Sequence, residues 1–443
     1  MKNNKFSKFN SKNTLMVFSS YALKDEDLNN QNALSWYTKE LLSVFPQNQK
    51  MVVLSERESA ESHDIVQKNN ILVIPSWQKR DFFSLFRLIS YFFQFNRAKR
   101  VLFEFEFNIF GNLFGPLITL ILLLYLKITG KKIFFHLHQV VTSLKSLKNQ
   151  VNIKEDGIID LFNIGLGIFY MLIGLFSEKV IVTEKALAKK LGKYVNEEKI
   201  AILPILVDKK NISKKNNIYT NKYKGLKGKK ILLFFGYLSW YKGIDWLVDV
   251  FSKISKKLPN YVLVVAGGKS PTLAGKIHYE NYYQRLKNAM NKNKNIIHSG
   301  FIDEQEIGYL MESSSTLILP YRGFISSSGP LSWAMTYKKP VIFSKFLKEY
   351  KNSEDFCLSM KKNNIKDNEL FFDLEANSLL KILKSVSLKK LSGFSDYLSN
   401  LRSKSVISKK LLNILKEKSN KGLIFRMKTS FKLPNLVRFL YAK

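Results

Sequence analysis

A turn that contains a lysine follows an apolar run in the second half of the chain, and its composition suits a phosphate site. The run Lys230–Phe235 ends at Gly236, and Tyr237 and Lys242 then precede a helical segment that starts near Gly243. A glycine backbone, the N–H groups of a helix start and a full positive charge together bind phosphate oxygens. We therefore expect Gly236, Tyr237 and Lys242 to contact the phosphates of a ligand. The alternative is a solvated lysine at a helix start.

Two more segments of the second half have the composition of a phosphate-binding backbone. Gly267 and Gly268 follow the apolar run Tyr261–Ala266, and two adjacent glycines leave room for a ligand close to the backbone. A later loop enters a helix and offers hydroxyls and free backbone amides. Its residues are Ser326, Ser327, Ser328 and Gly329. We predict that both segments help to hold a diphosphate.

Histidines and glutamates alternate with apolar residues on two predicted strands of the first half. His136 and His138 are two residues apart, as are Glu104 and Glu106, so each pair shares one face of its strand. Carboxylates in a strand buried on both sides are costly unless they are paired or line a cleft. We expect the face that His136 and His138 share to form the wall of a site, and Glu106, nearest the carboxyl end of its strand, to be the better placed of the two glutamates to reach a ligand. A buried core histidine and an edge strand with one wet face are the alternatives.

Short apolar runs alternate with helix-length segments in both halves, which predicts parallel sheets covered by helices on both faces. The strands predicted for the first half are Thr14–Phe18, Met51–Leu54, Ile71–Ile74, Arg100–Phe105, Lys132–Leu137, Lys179–Val182 and Lys199–Leu203. Those of the second half are Lys230–Phe235, Tyr261–Ala266, Asn295–His298, Thr316–Pro320 and Pro340–Phe343. The predicted helices include Ala33–Val44, Phe82–Phe95, Gly243–Lys257, Tyr279–Lys292, Asp303–Ser313 and Pro330–Tyr337. The fold class is α/β, with two Rossmann-like, doubly wound domains facing each other across a cleft.

The length of 443 residues exceeds what one hydrophobic core supports, which is roughly 250–300 residues. A Lys- and Asn-rich break with little apolar content falls between the two halves. We predict a first domain over residues 1–207, a linker over 208–229 and a second domain over 230–400. Residues 401–443 form a basic, amphipathic tail.

The net charge of +36 calls for an anionic partner: nucleic acid, an anionic membrane or a phosphate-bearing substrate. A general bias toward lysine is the alternative. Leu117–Leu126 and Leu161–Phe176 are unusually apolar but shorter than the ~20 residues of a spanning helix. We favour buried helices there, with helices at a membrane interface as the alternative. The tail mixes basic and apolar residues as anionic-membrane segments do, and packing on the first domain is its alternative.

Four segments of the second half, taken in order, resemble the C-terminal domain of the GT-B glycosyltransferases, most closely the large retaining family 4. They are Gly236–Gly243, Leu263–Gly268, Gly300–Ile307 and Leu319–Ile342. Leu137-His138-Gln139-Val140 and Asn32–Leu41 resemble parts of the N-terminal domain of that family. The resemblance implies a hexosyltransferase whose second domain binds a nucleotide-diphosphate sugar. It places His138 beside the transferred sugar as the catalytic candidate, with His136 as the second choice, and Lys242 on the leaving diphosphate. It makes Glu106 and His136 the candidates for the acceptor side, and it implies retention of configuration.

The chain departs from the family pattern at three positions of the donor site. The arginine of the family falls on Tyr237, and its two glutamates fall on Ile325 and Trp333. In the family the second glutamate binds the ribose and the first touches the sugar. The first loop, Ser19–Asn32, lacks the usual glycines. A catalytically inactive, GT-B-like binding or scaffold subunit therefore stays open as the alternative function.

The expected partners follow from the resemblance and from the charge. The acceptor is a surface glycan or a lipid-linked sugar of polysaccharide biosynthesis, and the protein is peripheral at the inner face of the cell membrane. A single cysteine, Cys357, and an N-terminus without an apolar signal core indicate a cytoplasmic setting. Nucleic acid is not expected because no reader module is present. No cofactor and no metal are expected, since the sequence offers no Asp-x-Asp motif and the nucleotide sugar is a co-substrate.

Overall fold

The computed structural model describes residues 2–21, 33–57, 64–111, 114–147, 155–207, 219, 222–385 and 387–416. Most of the predicted linker, most of the first loop and all of the tail beyond residue 416 lie outside this range. Two parallel sheets organise the described chain. The predicted α/β class, with two doubly wound domains, is confirmed.

The first domain contains an eight-stranded sheet in the order β3-β4-β2-β1-β5-β6-β7-β8, parallel except at β3. Its strands are β1 Leu15–Phe18, β2 Met51–Glu56, β3 Val66–Lys68, β4 Ile71–Trp77, β5 Arg100–Phe105, β6 Lys132–Leu137, β7 Lys179–Val182 and β8 Ile200–Ile202. All seven strands predicted from the sequence are present. The eighth, β3, is a short exposed edge strand that pairs antiparallel with β4, so it has no apolar run to reveal it.

Helices cover both faces of this sheet. They are α1 Lys2–Phe9, α2 Ala33–Leu42, α3 Ser84–Gln94, α4 Gly115–Ile128, α5 Asp156–Phe176 and α6 Lys185–Leu191. Successive residues of β1 belong to different cores, because strand side chains alternate between faces. Met16 and Phe18 pack in the core that includes α3, α4 and α5. Leu15 and Val17 pack in the core that includes α2.

The second domain contains a six-stranded parallel sheet in the order β11-β10-β9-β12-β13-β14. Its strands are β9 Lys230–Phe235, β10 Tyr261–Ala266, β11 Ile296–Gly300, β12 Thr316–Leu319, β13 Val341–Ser344 and β14 Phe371–Phe372. Its helices are α7 Ile244–Ile254, α8 Ile277–Asn291, α9 Glu304–Ser313, α10 Gly329–Thr336, α11 Glu354–Lys362, α12 Asp367–Leu370, α13 Ala376–Ser385 and α14 Leu388–Leu401. Near the predicted linker, Tyr223 is buried, its hydroxyl donates to Glu306 Oε1 at 2.5 Å and lies 2.8 Å from Ser299 Oγ, so this stretch packs on the second domain.

After α14 the chain returns to the first domain. Val207 and Ser403 form a parallel bridge, and the Val207 amide donates to the Arg402 carbonyl at 2.9 Å. The last described helix, α15 Lys404–Lys416, packs Ile407 and Leu411 into the core of the first domain beside Leu15. The described start of the tail is therefore part of the first domain.

The two apolar segments form helices that are buried on one side only. Leu117–Leu126 lies within α4, and Leu161–Phe176 lies within α5, which is longer than its apolar run because Asp156 begins it. In the described chain, α5 is the one helix long and apolar enough to cross a membrane by length and composition, and 33% of its most apolar stretch is buried. The expectation of buried helices is therefore wrong for their outer faces.

Candidate active site

The two sheets face each other through loops at the carboxyl ends of their strands. The loop after β6 meets the loop after β12, where Gln139 and Ser326 form an antiparallel bridge. The Val140 amide also donates to the Ile325 carbonyl at 2.9 Å. Ligands of open α/β sheets bind outside the carboxyl ends of the strands. The cleft between these loops is thus the candidate site, and it brings the predicted donor residues near the predicted acceptor residues.

Lys242 lies at the end of β9, as the sequence predicts. A short 3-10 turn over Trp240–Lys242 delivers it, and Gly243 then takes a φ of +70° before α7 begins. A Cβ atom built on Gly236 would lie 2.6 Å from the Lys242 Nζ and 3.5 Å from Pro330 Cγ. The ammonium therefore sits on the Gly236 backbone, close to the N-terminus of α10.

The Lys242 side chain is partly buried, and its ammonium has no compensating charge. Among the described residues no hydrogen bond or carboxylate partner reaches it, and its nearest ring is that of Tyr321, 5.9 Å from Nζ to the ring centroid. Burial lowers the pKa of Lys242 to about 8. An uncompensated buried cation is costly, and an anion that binds beside it removes that cost. This arrangement suits a phosphate group.

The glycine pair at the end of β10 has a different role from the predicted one. A Cβ atom on Gly267 would lie 2.0 Å from the Gly236 carbonyl oxygen, so the space beside Gly267 is filled by the neighbouring strand end and not by a ligand. The Leu238 amide also donates to the Gly268 carbonyl at 3.0 Å. Gly267 and Gly268 thus join the ends of β9 and β10, and they support the Lys242 turn indirectly.

The serine loop is engaged with the protein rather than open to a ligand through its hydroxyls. Ser328 caps α10, where its Oγ accepts from the Leu331 amide at 3.4 Å. Ser327 Oγ donates to Thr183 and Glu184 of the first domain, at 2.8 and 3.0 Å. Both hydroxyls therefore have protein partners, and their contact with a donor stays a prediction. Pro330 has no backbone N–H and the Leu331 amide is used by the Ser328 cap, so the Gly329 amide is the donor that the start of α10 leaves for a ligand, and Gly329 has open space beside its Cα.

Ser326 contributes to the interface of the domains and to the ordering of the Lys242 turn. Its backbone bridges to Gln139, and its hydroxyl is hydrogen-bonded to the Tyr241 side chain next to Lys242. Burial raises the pKa of Tyr241 to about 12, so the phenol is neutral. Ser326 is thus a structural neighbour of the predicted phosphate site.

His138 and His136 lie on one face of β6, with ring centroids 4.4 Å apart, as the spacing predicts. Both bind the carboxylate of Glu104 on the neighbouring strand β5. His138 Nε2 is 2.6 Å from Oε2, and His136 Nδ1 is 3.0 Å from the same oxygen. His138 retains some exposure to the cleft, whereas His136 and Glu104 are fully buried. His136 therefore cannot touch an acceptor directly, which corrects that prediction.

The charge of Glu104 is held by the two histidines. Burial alone would raise the pKa of this carboxyl, but the nearby His136 and His138 outweigh burial and lower it to about 2. The ring of Tyr37 packs edge-on against His138, with centroids 4.8 Å apart. The hydroxyl of Tyr37 and Nε2 of His136 are buried without a hydrogen-bond partner in the described chain. The cluster is therefore a pre-organised polar network behind His138.

Glu106 lies at the end of β5 and faces the second domain. Burial raises its pKa, and the positive charge of Lys79 opposes that effect. Burial also raises the pKa of Tyr237, and the charge of Glu106 raises it further. Tyr237 and Glu106 are therefore close enough to interact across the cleft. Lys79 forms an ion pair with Glu56 at 2.8 Å. Glu106 therefore has the position predicted for an acceptor-side group.

An aromatic stack occupies the position where the family has a ribose-binding glutamate. Trp333 on α10 lies 6.2 Å from Trp36 on α2, centroid to centroid, with nearly parallel rings. It also contacts Phe235 and Tyr337. Ile325, at the position of the other glutamate, contributes its carbonyl to the bridge with Val140. Neither family carboxylate is therefore present at these two positions.

Glu104, His136 and His138 also have ligand types that suit a divalent cation, with candidate atoms within 4.8 Å of one another. A cation at about 2.1 Å from each ligand needs those atoms at least roughly 3 Å apart. The 2.6 Å distance from His138 to Glu104 is a hydrogen bond and would have to open. The geometry fits a hydrogen-bonded network better than a metal centre.

Sequence patterns gave no sign of one buried ion network beside the serine loop. Arg402 pairs with Glu184 at 2.7 Å and with Asp355 at 2.7 Å, and all of these contacts join residues that are far apart in the chain. Burial alone would lower the pKa of Arg402, but the carboxylates of Glu184 and Asp355 raise it well above the usual value. Since Ser327 also binds Glu184, this network fixes the loop that leads into α10.

Comparisons with known proteins agree with this geometry. Residues 216–356 match the family model of glycosyl transferases group 1. The sucrose-phosphate synthase of Thermosynechococcus elongatus is 13% identical, with 90% of this chain and 98% of that chain aligned at a TM-score of 0.64. The E. coli trehalose-6-phosphate structure bound with UDP-2-fluoro glucose is 9% identical, with 91% of this chain and 99% of that chain aligned at a TM-score of 0.65.

A third similar structure is Anabaena HepE in complex with UDP and glucose, which is 11% identical, with coverage of 91% and 99% and a TM-score of 0.59. No curated protein matches the chain. The structural likeness at such low identity establishes the GT-B fold, and the family model covers the part of the second domain that holds Lys242. The chain therefore has the GT-B fold, and residues 216–356 match the family model of glycosyl transferases group 1.

Proposed function

We propose that the protein transfers a hexosyl group from a nucleoside diphosphate sugar to a hydroxyl of a surface glycan or a lipid-linked sugar. One observation carries this proposal. The partly buried Lys242 ammonium has no carboxylate partner in the described part of the chain, and it lies beside the N-terminus of α10. A diphosphate bound there would receive a full positive charge, the Gly329 N–H group and the favourable end of the helix dipole.

The proposed reaction proceeds on one face of the sugar with retention of configuration. The bond from the anomeric carbon to the diphosphate oxygen breaks, and the acceptor oxygen forms its bond to the same carbon from the same side. The proton of the acceptor hydroxyl passes to a diphosphate oxygen. Lys242 stabilises the negative charge that develops on the leaving group, which is the step where pre-organised charge is most effective. Lysine and helix dipole together take the role that a metal has elsewhere.

The acceptor side of the cleft supplies hydrogen-bonding groups of suitable type. His138 presents a partly exposed ring held by Glu104, and Glu106 presents a carboxylate near Tyr237 of the second domain. Imidazole and carboxylate groups accept hydrogen bonds from sugar hydroxyls. We place the transferred sugar beside His138 and the acceptor hydroxyl beside Glu106.

The donor class follows from the phosphate site and from the neighbours. UDP is bound in the HepE structure, and UDP-2-fluoro glucose is bound in the E. coli structure. In this chain Trp333 and Ile325 replace the two family carboxylates, so the base and the sugar must be determined directly. A nucleoside diphosphate sugar is the donor class that the Lys242 site supports.

A ligand panel tests the proposal. UDP, GDP, ADP and CMP are compared by thermal shift, because a ligand that binds the folded state raises the unfolding temperature. The sugar nucleotide of the preferred base is then offered with acceptor glycans, and release of the nucleoside diphosphate is measured. Release that depends on Lys242 supports the proposal. Binding without release identifies an inactive binding subunit, and binding of none of the four overturns the donor site.

A further inference from the structure

Helix α3 exposes a stripe of phenylalanines on its outer side. Phe83 is 71% exposed, and Phe82, Phe86 and Phe93 are exposed to a similar degree. The opposite side of the same helix buries Leu85, Leu88 and Phe92 in the core. Both sides of this helix are therefore apolar, which is unusual for a helix that faces water.

The neighbouring helices α4 and α5 show the same pattern. On α4 the exposed residues recur at helical spacing and line one side, and they are Phe114, Leu117, Ile121, Leu124 and Ile128. On α5 the exposed stripe consists of Ile158, Leu161, Phe162, Ile168, Met171 and Leu175. Leu161 is 67% exposed. Exposed charges on the same helices lie beside the stripes: Asp160 on α5 pairs with Lys145, and Lys127 on α4 pairs with Glu178.

The three stripes form one surface, because α3 packs on α4 and α4 packs on α5. We call it the α3–α4–α5 face. At roughly 200 Å² for a fully exposed side chain of this size, it presents on the order of 1,000 Å² or more of apolar area. The largest apolar patch of a typical monomer covers roughly 300–600 Å². A face of this extent indicates an interaction surface.

The face begins at the edge of the sheet that holds the candidate active site. In a parallel sheet the carboxyl end of each strand and the N-terminus of the following helix lie at the same edge. Phe83 precedes α3, Phe114 precedes α4 and Leu161 lies near the start of α5, so all three are near this edge. Glu106 and His138 follow β5 and β6 at the same edge. A ligand held by the face would have one end close to the cleft.

The charge of the protein indicates which partner binds the α3–α4–α5 face. Exposed basic residues stand at both ends of the face, and none of them is ion-paired within the described chain. They are Arg80, Arg97, Lys99 and Lys132. Two copies of a chain with a net charge of +36 repel each other, whereas an anionic bilayer attracts it. Apolar side chains with basic residues at the rim suit the acyl–headgroup boundary of such a bilayer.

We propose that the α3–α4–α5 face docks on an anionic lipid bilayer, with α5 lying along the interface and not crossing it. Helix α5 packs against α4 and contributes Tyr170 and Ile173 to the core of the first domain, so it cannot leave the domain to span. The basic residues beyond position 416 lie outside the described residues, and the proposal stands on the face alone. Docking would bring a lipid-linked acceptor to the cleft, and that consequence rests on the proposed function.

Vesicle flotation of the full chain tests the proposal. Vesicles of phosphatidylcholine with phosphatidylglycerol are compared with phosphatidylcholine alone. The wild type is expected to float with the anionic vesicles. For the variant Phe83→Glu/Leu117→Glu/Leu161→Glu, the fraction that floats is expected to be at least tenfold smaller. The matched control, Ile277→Glu/Phe346→Glu/Leu358→Glu, changes the same charge at exposed apolar sites outside the face and should float like the wild type.

Three results would overturn the proposal. The first is a wild type that stays at the bottom of the gradient. The second is a face variant that floats as well as the wild type, and the third is a control variant whose flotation falls as far as that of the face variant. Sedimentation velocity without lipid provides a further test, since a wild-type dimer that the face variant converts to monomer assigns the face to a second copy. Thermal unfolding verifies that each variant is folded. Because flotation needs neither donor nor turnover, its outcome is independent of the proposed reaction.

Discussion

The Nε2 atom of His138 lies 2.6 Å from the Oε2 atom of Glu104, a carboxylate with no exposed surface. Since the pKa of Glu104 is lowered to about 2, the carboxylate is ionised at neutral pH and Nε2 of His138 must donate. The other ring nitrogen, Nδ1, has no protein partner within the described chain. Glu104 thus fixes the tautomer and orientation with which His138 meets a substrate.

Replacement of Glu104 by glutamine should lower kcat on the order of tenfold or more while KM changes little, because the His138 ring loses its fixed orientation. The measurement is steady-state release of nucleoside diphosphate with the preferred donor. The Glu104→Asp variant, which keeps the charge, should recover part of the loss. Equal activity of Glu104→Gln and wild type would remove Glu104 from the site.

The same carboxyl makes stability depend on pH. Its folded pKa of about 2 is below the ordinary value of 4.5, so its stabilising contribution is present above pH 4.5. That contribution is lost as pH falls through the folded pKa. Urea unfolding between pH 6 and pH 3 should therefore show a steeper loss of stability for the wild type than for Glu104→Gln. Parallel curves for the two proteins would contradict the assignment.

Lys242→Met should weaken binding of the preferred nucleoside diphosphate at least about tenfold, as expected for a lost charge-assisted hydrogen bond. Since the pKa of Lys242 is about 8, the wild type should also bind more weakly as pH rises from 7 to 9, where the amine loses its proton. Calorimetry at both pH values measures the effect. The control variant Lys253→Met removes an exposed lysine that pairs with Asp249. It should change neither the affinity for the diphosphate nor the dependence of that affinity on pH.

Gly267→Ala should disrupt the donor site through its support. The added Cβ would lie 2.0 Å from the Gly236 carbonyl, so the ends of β9 and β10 must separate and Lys242 must move. We expect a lower unfolding temperature together with weaker diphosphate binding. Gly225→Ala is the control, since nothing lies within 4 Å of the new atom. A Gly267→Ala protein that binds diphosphate normally would show that the strand ends tolerate the shift.

Glu184→Ala should destabilise the protein by about 3–5 kcal/mol, the typical cost of leaving a buried charge without its partner. Arg402 would then retain only Asp355 as an ionic partner in the described chain. Chemical unfolding measures the loss. Asp249→Ala breaks the exposed pair with Lys253 and should cost less than about 1 kcal/mol. Similar losses of stability for both variants would show that the buried network stabilises the fold no more than an exposed ion pair does.

The fold was largely predictable because each buried parallel strand is a short apolar run bounded by polar residues. All twelve predicted strands are present, with shifts of a few residues at their ends. The exceptions have physical reasons. β3 is exposed on an edge, and β14 has only two residues, so neither gives an apolar run.

The site was predictable where one residue acts alone and not where partners come from distant segments. Lys242 was recognisable because strand, glycine, lysine and helix start follow one another in the chain. Glu104 was visible as a carboxylate on a buried strand, but its pairing with two histidines depends on the register of β5 with β6. The contact of Ser327 with Glu184 spans the two domains, and no local pattern encodes it.

Helix α15 gives the first domain a discontinuous sequence. Residues 404–416 complete a core that otherwise consists of residues before 207, because Ile407 and Leu411 cover Leu15 and its neighbours. A fragment that ends at residue 207 would leave that core open to water. Chimeras with related enzymes must therefore exchange the two pieces together, and an isolated first domain needs residues 404–416 grafted to it by a short loop.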